Sequence, residues 1–404
     1  MNFEALIYAI MGGICFGTYP LFIRTPAVIA AKPKTIVFQL YKSTVVFISG
    51  FLFLIPRYLN WKDQTDHALV SLFVFNWWAV LSAVFWIPAG LFTIYSVPII
   101  GMGLQVALAA STSSVFTFLI FWLVFGTKMR SYSCGNGCTF YLAPLYLFFT
   151  VAGMVALIFS AALTTKLRRC RGSSDNSSSG DGIIGRGNIS SSTSSETTNT
   201  DNESTPMISV SSSSSSSSSR TLESSKSAIT KLSGIILSML GGCFASGQFA
   251  VVQQGKKIEE QKYHCFPRNI TCPPALVESF DTFGSWYVSF GIGAMGVTVC
   301  LLLGQVMKDG GRCPNFHWPI LKTAGVKAGV FWVFGNFFVT LAVVAGGNAV
   351  VLAQTLSCMI IVSGAWGLGF YKEGDQSQSR KCVWFVCAVW TVVCMILLGM
   401  EKQE

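Results

Sequence analysis

MGGICFGTYPLF (Met11–Phe22) and LGGCFASGQFAV (Leu240–Val251) are the two stretches on which the fold turns. Each sets a glycine pair inside an apolar run, so that Gly12-Gly13 stands against Gly241-Gly242 and Gly17 against Ser246. Two further matches follow in the same order. Val84-Phe85-Trp86 pairs with Val330-Phe331-Trp332, and WLVFGTK (Trp122–Lys128) pairs with WGLGFYK (Trp366–Lys372). Three matches in one order predict that the chain is built from two copies of one unit.

The composition fixes the environment of those units. Of 404 residues only 28 are Lys or Arg and 18 are Asp or Glu, so charged residues make up 11% of the chain. Soluble domains run near 25%, and 51% hydrophobic residues leave too little polar surface to face water. The apolar residues fall into ten stretches of helix length: Ala5–Ile23, Ile36–Ile55, Phe73–Tyr95, Gly101–Gly126, Phe140–Thr164, Leu232–Val252, Phe283–Val306, Val326–Val344, Gly347–Tyr371 and Val383–Met400. About 20 residues at 1.5 Å rise cross a hydrocarbon core of roughly 30 Å. The expectation is therefore an all-α membrane protein with ten transmembrane helices. Glu4 stands where a signal peptide would carry basic residues, so the first stretch is read as a span.

Between the fifth and sixth spans lies a polar segment, residues 166–231, with the nine-serine run Ser211–Ser219 and almost no aromatic side chain. Such a composition cannot build a core, and a disordered linker is expected there. It separates a first five-helix repeat, residues 1–165, from a second, residues 232–404. An odd number of spans per half inserts the second half upside down. Inverted repeats of this kind are characteristic of secondary transporters, whose solute site lies near the midplane between the halves.

Several pieces resemble a known family. VFWIPAGLFTIYSVPIIGMGLQ (Val84–Gln105) and GAWGLGFYKE (Gly364–Glu373) look like the transmembrane protein 144 family, as do Phe38-Gln39 and SGIILSMLGGCFASGQF. That family lies near the bacterial glucose and rhamnose uptake proteins, within the drug/metabolite transporter superfamily. The resemblance covers the ten spans and implies a ten-helix carrier of carbohydrates or related small polar solutes.

The polar residues inside the spans point the same way on their own chemistry. Uncharged hydrogen-bonding groups are costly in hydrocarbon and turn inward. Gln39, Tyr41, Gln105, Gln248, Asn336 and Gln354 are the candidates, with Trp86 and Trp332 at matched repeat positions. Aromatic faces cover the CH face of a sugar, while amides both donate and accept. The bland alternative is that the amides bond between helices and the indoles pack. Lys42, inside the second span, either faces the cleft toward a hydroxyl-rich or anionic solute or snorkels to the interface. A nucleotide sugar is the anionic alternative. The glycines Gly12, Gly13, Gly17, Gly241, Gly242 and Gly247 let helices approach closely, and hinge motion is a second use.

No HExxH, GxSxG, P-loop or CxxC pattern is present, so neither a catalytic residue, a metal nor a cofactor is expected. The net charge of +10 flanks the spans and is not a nucleic-acid footprint. The expected partners are a small polar solute, most simply a sugar, and the lipid bilayer. A receptor or scaffold that recruits partners through the linker is the non-transporting alternative. Basic residues are more numerous in the odd-numbered loops, which places both termini outside and the linker in the cytoplasm. Cys134 and Cys138 then share one outer loop. Cys265 and Cys272 share another with the sequon at Asn269, predicting a glycan on Asn269 and a Cys265–Cys272 bridge.

Overall fold

A computed structural model describes residues 3–62, 73–126, 129–134, 138–174, 216–262, 279–280, 284–346, 348–372 and 378–401. Asn269, Cys265 and Cys272 lie outside the described residues, as does the centre of the linker.

Backbone amides cannot be left unpaired in hydrocarbon, and the chain answers with helices that satisfy them internally. In order they are α1 (Phe3–Thr18), α2 (Pro26–Ala31), α3 (Thr35–Lys62), α4 (Trp77–Ile100), α5 (Met102–Leu119), α6 (Ala143–Ser174), α7 (Ser216–Lys262), α8 (Ser285–Lys308), α9 (Trp318–Gly346), α10 (Asn348–Gly364) and α11 (Gln378–Met400). Pro20 turns the end of α1 into a 3₁₀ segment, Tyr19–Phe22. α5 and α10 both finish in a π-helical segment, Ile120–Val124 and Ala365–Phe370. A two-stranded hairpin, β1 (Tyr132–Ser133) and β2 (Thr139–Phe140), connects α5 to α6.

Among the described residues nine helices are long and apolar enough to cross a membrane. In α6 the apolar stretch is shorter, Ala143–Phe159. The protein is an all-α, multi-pass integral membrane protein in its architecture. Its outer helix faces support this, because large apolar side chains such as Leu52, Phe148, Phe159, Leu303 and Phe385 stand exposed. Water-soluble proteins rarely expose so much apolar surface.

Some boundaries differ from the sequence expectation for identifiable reasons. The third span begins at Trp77 rather than Phe73, because the Asn76 side chain accepts the Trp78 N–H at 2.8 Å and caps the helix. Hydropathy reads Phe73-Val74-Phe75 as span, yet they precede the cap. The eighth span starts at Trp318, eight residues before Val326, so Lys322 and Lys327 lie on helix with Lys327 exposed. The linker is helical at both ends, through Ser174 and again from Ser216. A helix already nucleated by an apolar span gains a hydrogen bond for each added residue, so it propagates into polar sequence.

The chain packs as two units, Met1–Thr164 with Thr230–Glu404 and, separately, Thr165–Ile229. The helices before and after the linker thus share the first unit. Within it α1 packs on α9 and α10, α3 and α4 on α8, α9 on α3, and α10 on α5 and α11. α7 meets α4 and α5 through its glycines. One buried apolar cluster gathers Ile23, Phe38, Val97, Met102 and Leu321, and a second gathers Trp86, Tyr287, Phe290 and Trp332. Tyr19 and Leu91 pack against both.

Candidate functional site

Helical periodicity puts Gln39, Lys42 and Ser43 on one face of α3, at spacings of three and four. All three are buried, Lys42 to 1% exposure. The Gln39 amide donates from Nε2 to Ser43 Oγ at 3.3 Å. Ser43 Oγ lies 2.9 Å from Thr298 Oγ1 on α8, and Thr298 donates to the Ala294 carbonyl at 2.7 Å. The hydroxyls therefore pass hydrogen bonds in one direction, away from Gln39. Its Oε1 is left buried with no donor. Room for that oxygen comes from Gly90 on α4, where a Cβ would stand 2.6 Å from it.

Lys42 does not snorkel. Its Nζ is 4.7 Å from the centre of the Tyr19 ring, 4.8 Å from Trp86 and 5.4 Å from Trp332. Tyr19 follows α1, while Trp86 and Trp332 come from α4 and α9, so the ammonium sits where both halves meet. The two indoles lie 4.2 Å apart between ring centres, and Phe290 of α8 flanks them at 5.4 and 6.0 Å. Among the described residues no carboxylate or other hydrogen-bond acceptor partners Lys42. Ring faces attract a cation by about 0.5–1 kcal/mol when exposed and about 2 or more when desolvated, yet they leave its three N–H donors without acceptors.

Gln105 on α5 forms a second polar point. Its Nε2 donates to Thr93 Oγ1 at 3.2 Å and its carbonyl accepts Ser238 Oγ of α7 at 2.8 Å, while its Oε1 is buried without a donor. Ser96 Oγ is buried without a partner as well. Orphaned buried oxygens are rare because each costs about 1–3 kcal/mol. Those of Gln39, Ser96 and Gln105 lie on α3, α4 and α5.

The remaining candidates lie elsewhere. Tyr41, one position before Lys42, is rotated away: its hydroxyl donates to the Phe316 carbonyl at 3.1 Å and its ring stands 5.8 Å from Trp318. Asn336 bonds back to the Trp332 carbonyl within its own helix at 3.0 Å. Gln248 and Gln354 are half-buried on α7 and α10, and Ser82 Oγ donates to the Gln248 carbonyl at 3.2 Å. Sequence reasoning passed over Tyr19, Ser43, Phe290 and Thr298. Tyr19 stood inside the opening glycine motif, which was its one signal.

Both ends of the bundle are tied. Where α1 finishes and α3 begins, Arg24 donates to the Val97 and Pro98 carbonyls at 3.2 and 3.4 Å, and Trp366 Nε1 donates to Thr18 Oγ1 at 3.2 Å. Tyr371 donates to the Leu21 carbonyl at 3.1 Å, and Lys34 pairs with Asp309 on the surface. At the opposite end the Val74 and Asn76 amides donate to Ser285 Oγ and Ser289 Oγ at 2.9 and 3.0 Å.

The glycine motif is used for close approach. A Cβ on Gly13 would lie 2.5 Å from Cys358 Cβ and 2.8 Å from the Thr355 carbonyl oxygen, and one on Gly17 2.8 Å from Val362 Cβ. On α7, Gly242 faces the Ala109 carbonyl and Thr112, Gly241 faces Phe92, and Gly247 faces the Phe85 ring. Gly12 lies against Gly335 and Val339. No family model and no curated protein matches the chain.

Proposed function

We propose that the protein is a secondary carrier moving carbohydrates or related small polar solutes by alternating access, with ten spans arranged as two inverted five-helix repeats. The observation that carries this reading is the buried cluster of Lys42, Gln39, Trp86 and Trp332, drawn from both halves and tied off at either end. It brings aromatic rings from both halves beside a buried ammonium and an orphaned acceptor, a combination that a bundle built only for rigidity does not need.

The repeat reading is supported by packing that the sequence match did not use. Gly13 packs on Thr355 and Cys358, and Gly242 packs on Ala109 and Thr112. Thr355 stands 246 positions after Ala109, and Cys358 stands 246 after Thr112, the same offset as Trp332 from Trp86. Gly12 and Gly241 likewise meet Gly335 and Ala89, again 246 apart. The π-helical ends of α5 and α10 fall at corresponding places. The resemblance to the transmembrane protein 144 family belongs to the same proposal.

Purified protein in liposomes, presented with a radiolabelled panel of hexoses, pentoses and sugar derivatives, tests it. Saturable uptake of at least one member, reduced by Trp86→Ala or Trp332→Ala, is the expected outcome. Absence of uptake across the panel, in protein that remains folded, favours the receptor or scaffold reading.

A further inference from the structure

We infer that the solute carries one negative charge, a carboxylate beside hydroxyls as in a sugar acid, and that Lys42 is its counter-ion. The inference rests on the carrier reading above and adds the charge of the cargo to it.

An ammonium held away from water needs a partner. Burying a charge without one costs more than aromatic faces return, which is why buried lysines are normally paired. Lys42 has three rings and, among the described residues, no acceptor. Among the described residues the acids do not reach it. Asp309 is held by Lys34 and Gln305 at the surface, and Glu401 accepts the Tyr132 hydroxyl beyond the last span at 2.9 Å. What the site lacks is an anion, and the solute is the component that brings one.

The count of cations sets the charge. Arg24 is engaged with the Val97 and Pro98 carbonyls, Lys34 with Asp309, and Lys327 is exposed. Lys42 is therefore the one buried cation among the described residues of the spans. A carboxylate neutralises it, whereas a phosphate dianion would leave a negative charge uncompensated in the dry interior. Gln39 lies three residues before Lys42 on the same face of α3, about 4.5 Å along the axis. A sugar acid whose carboxylate meets Lys42 also carries hydroxyls, one of which donates to Gln39 Oε1. Trp86 and Trp332 then cover its CH face. In the solute-free protein the rings hold the ammonium, and the carboxylate draws it from them.

The test compares glucuronate, glucose and glucose 6-phosphate on the full-length protein. Two readouts are taken: uptake into liposomes and the rise in unfolding temperature of the detergent-solubilised protein. Glucuronate is expected to be taken up with an apparent affinity at least about tenfold above the other two, and to stabilise the fold most. In Lys42→Gln and Lys42→Met the glucuronate-to-glucose preference is expected to fall roughly ten- to a hundredfold. Should those variants not fold, the wild-type ranking of the three solutes still decides. Preference for glucose, with the ratio unchanged in the variants, overturns the charge inference and leaves the carrier reading in place. Preference for the phosphate ester overturns the single charge. No uptake and no stabilisation by any of the three overturns the carrier reading and this inference together.

Discussion

Gln39 is the residue at which stability and solute binding pull apart. Its Oε1 is buried and unbonded, while its Nε2 is held by Ser43. Replacing the side chain with Leu removes both atoms, and Ser43 keeps its contact with Thr298. Gln39→Leu is thus expected to leave the unfolding temperature within about 2 °C of wild type, since an apolar replacement removes the orphan. The same change lowers solute affinity roughly ten- to a hundredfold, equivalent to about 1–3 kcal/mol, because a solute hydroxyl loses its acceptor. Thermal unfolding and uptake measured on one preparation check both halves. Glycines give the converse case. Gly13→Ala and Gly242→Ala each place a Cβ against a neighbouring carbonyl and side chain, an overpacking cost of about 1–3 kcal/mol. Gly296→Ala meets no described atom within 4 Å and is expected to be silent in the same melt. Gly13 and Gly242 were legible in the sequence because a motif repeated; which of its two directions Lys42 takes was not. Its depth along α3 follows from counting residues, but the direction it faces depends on which helices surround α3, and α8 and α9 begin more than 240 residues after Lys42. Tyr41 shows the same limit, since one step along the helix rotates it by about 100°, onto Phe316 and Trp318.

At the scale of elements the hydropathy pattern located nine helices of membrane length among the described residues and missed their ends, which local chemistry decides. Asn76 starts α4 through a cap, and α6 and α7 run on into serine-rich sequence where hydropathy predicts nothing. Two elements carry predictions of their own. In the hairpin Tyr132 pairs with Phe140 and Ser133 with Thr139, so Cys134 and Cys138 stand opposite each other, with the Cys134 amide donating to the Cys138 carbonyl at 2.9 Å. Directly opposed strand residues have the Cα separation a disulfide accepts, about 5.5 Å. Both thiols are free in the structure; where the hairpin faces an oxidising compartment the two are expected to be bridged. A mass gain from alkylation only after reduction, lost in Cys134→Ser, checks this, and free thiols throughout would reverse the orientation read from the loops. The second contact joins the residue before α3 to the residue after α8. The Lys34 ammonium and the Gln305 amide hold the Asp309 carboxyl below its ordinary range. A depressed carboxyl contributes above its unfolded pKa of about 3.9 and loses that contribution only as pH falls through the lower folded value. The Lys34–Asp309 tie therefore survives mild acid. The difference between wild type and Asp309→Asn in unfolding temperature should be the same at pH 5 and pH 7.5; a difference that vanishes at pH 5 would contradict it.

At the scale of the whole molecule the proposed cycle must carry Lys42 through a state closed at both ends, and the energetics of that state set the transport mode. Loaded with a monoanion, the ammonium crosses as a neutral pair. Empty, it crosses with only Tyr19, Trp86 and Trp332 for company, which stabilise it less than a carboxylate does. Return of the empty carrier is then the slow step, and exchange of one solute for another avoids it. Protons have no evident route either: among the described residues the buried acid is Glu401, beyond the end of the last span and bonded to Tyr132. Liposomes preloaded with solute are therefore expected to take up labelled solute at least about tenfold faster than empty ones, a factor corresponding to about 1.4 kcal/mol of barrier. Imposing a pH gradient should leave that exchange rate unchanged. A membrane potential should also leave exchange unchanged, because like charge moves in both directions, while altering net uptake, in which one positive charge returns uncompensated at about 2.3 kcal/mol per 100 mV for a full crossing. Equal rates in loaded and empty liposomes would show that the aromatic cage stabilises the empty carrier as well as the solute does. Accumulation driven by the pH gradient would place a proton-carrying group in the cycle and turn attention to Lys42 itself.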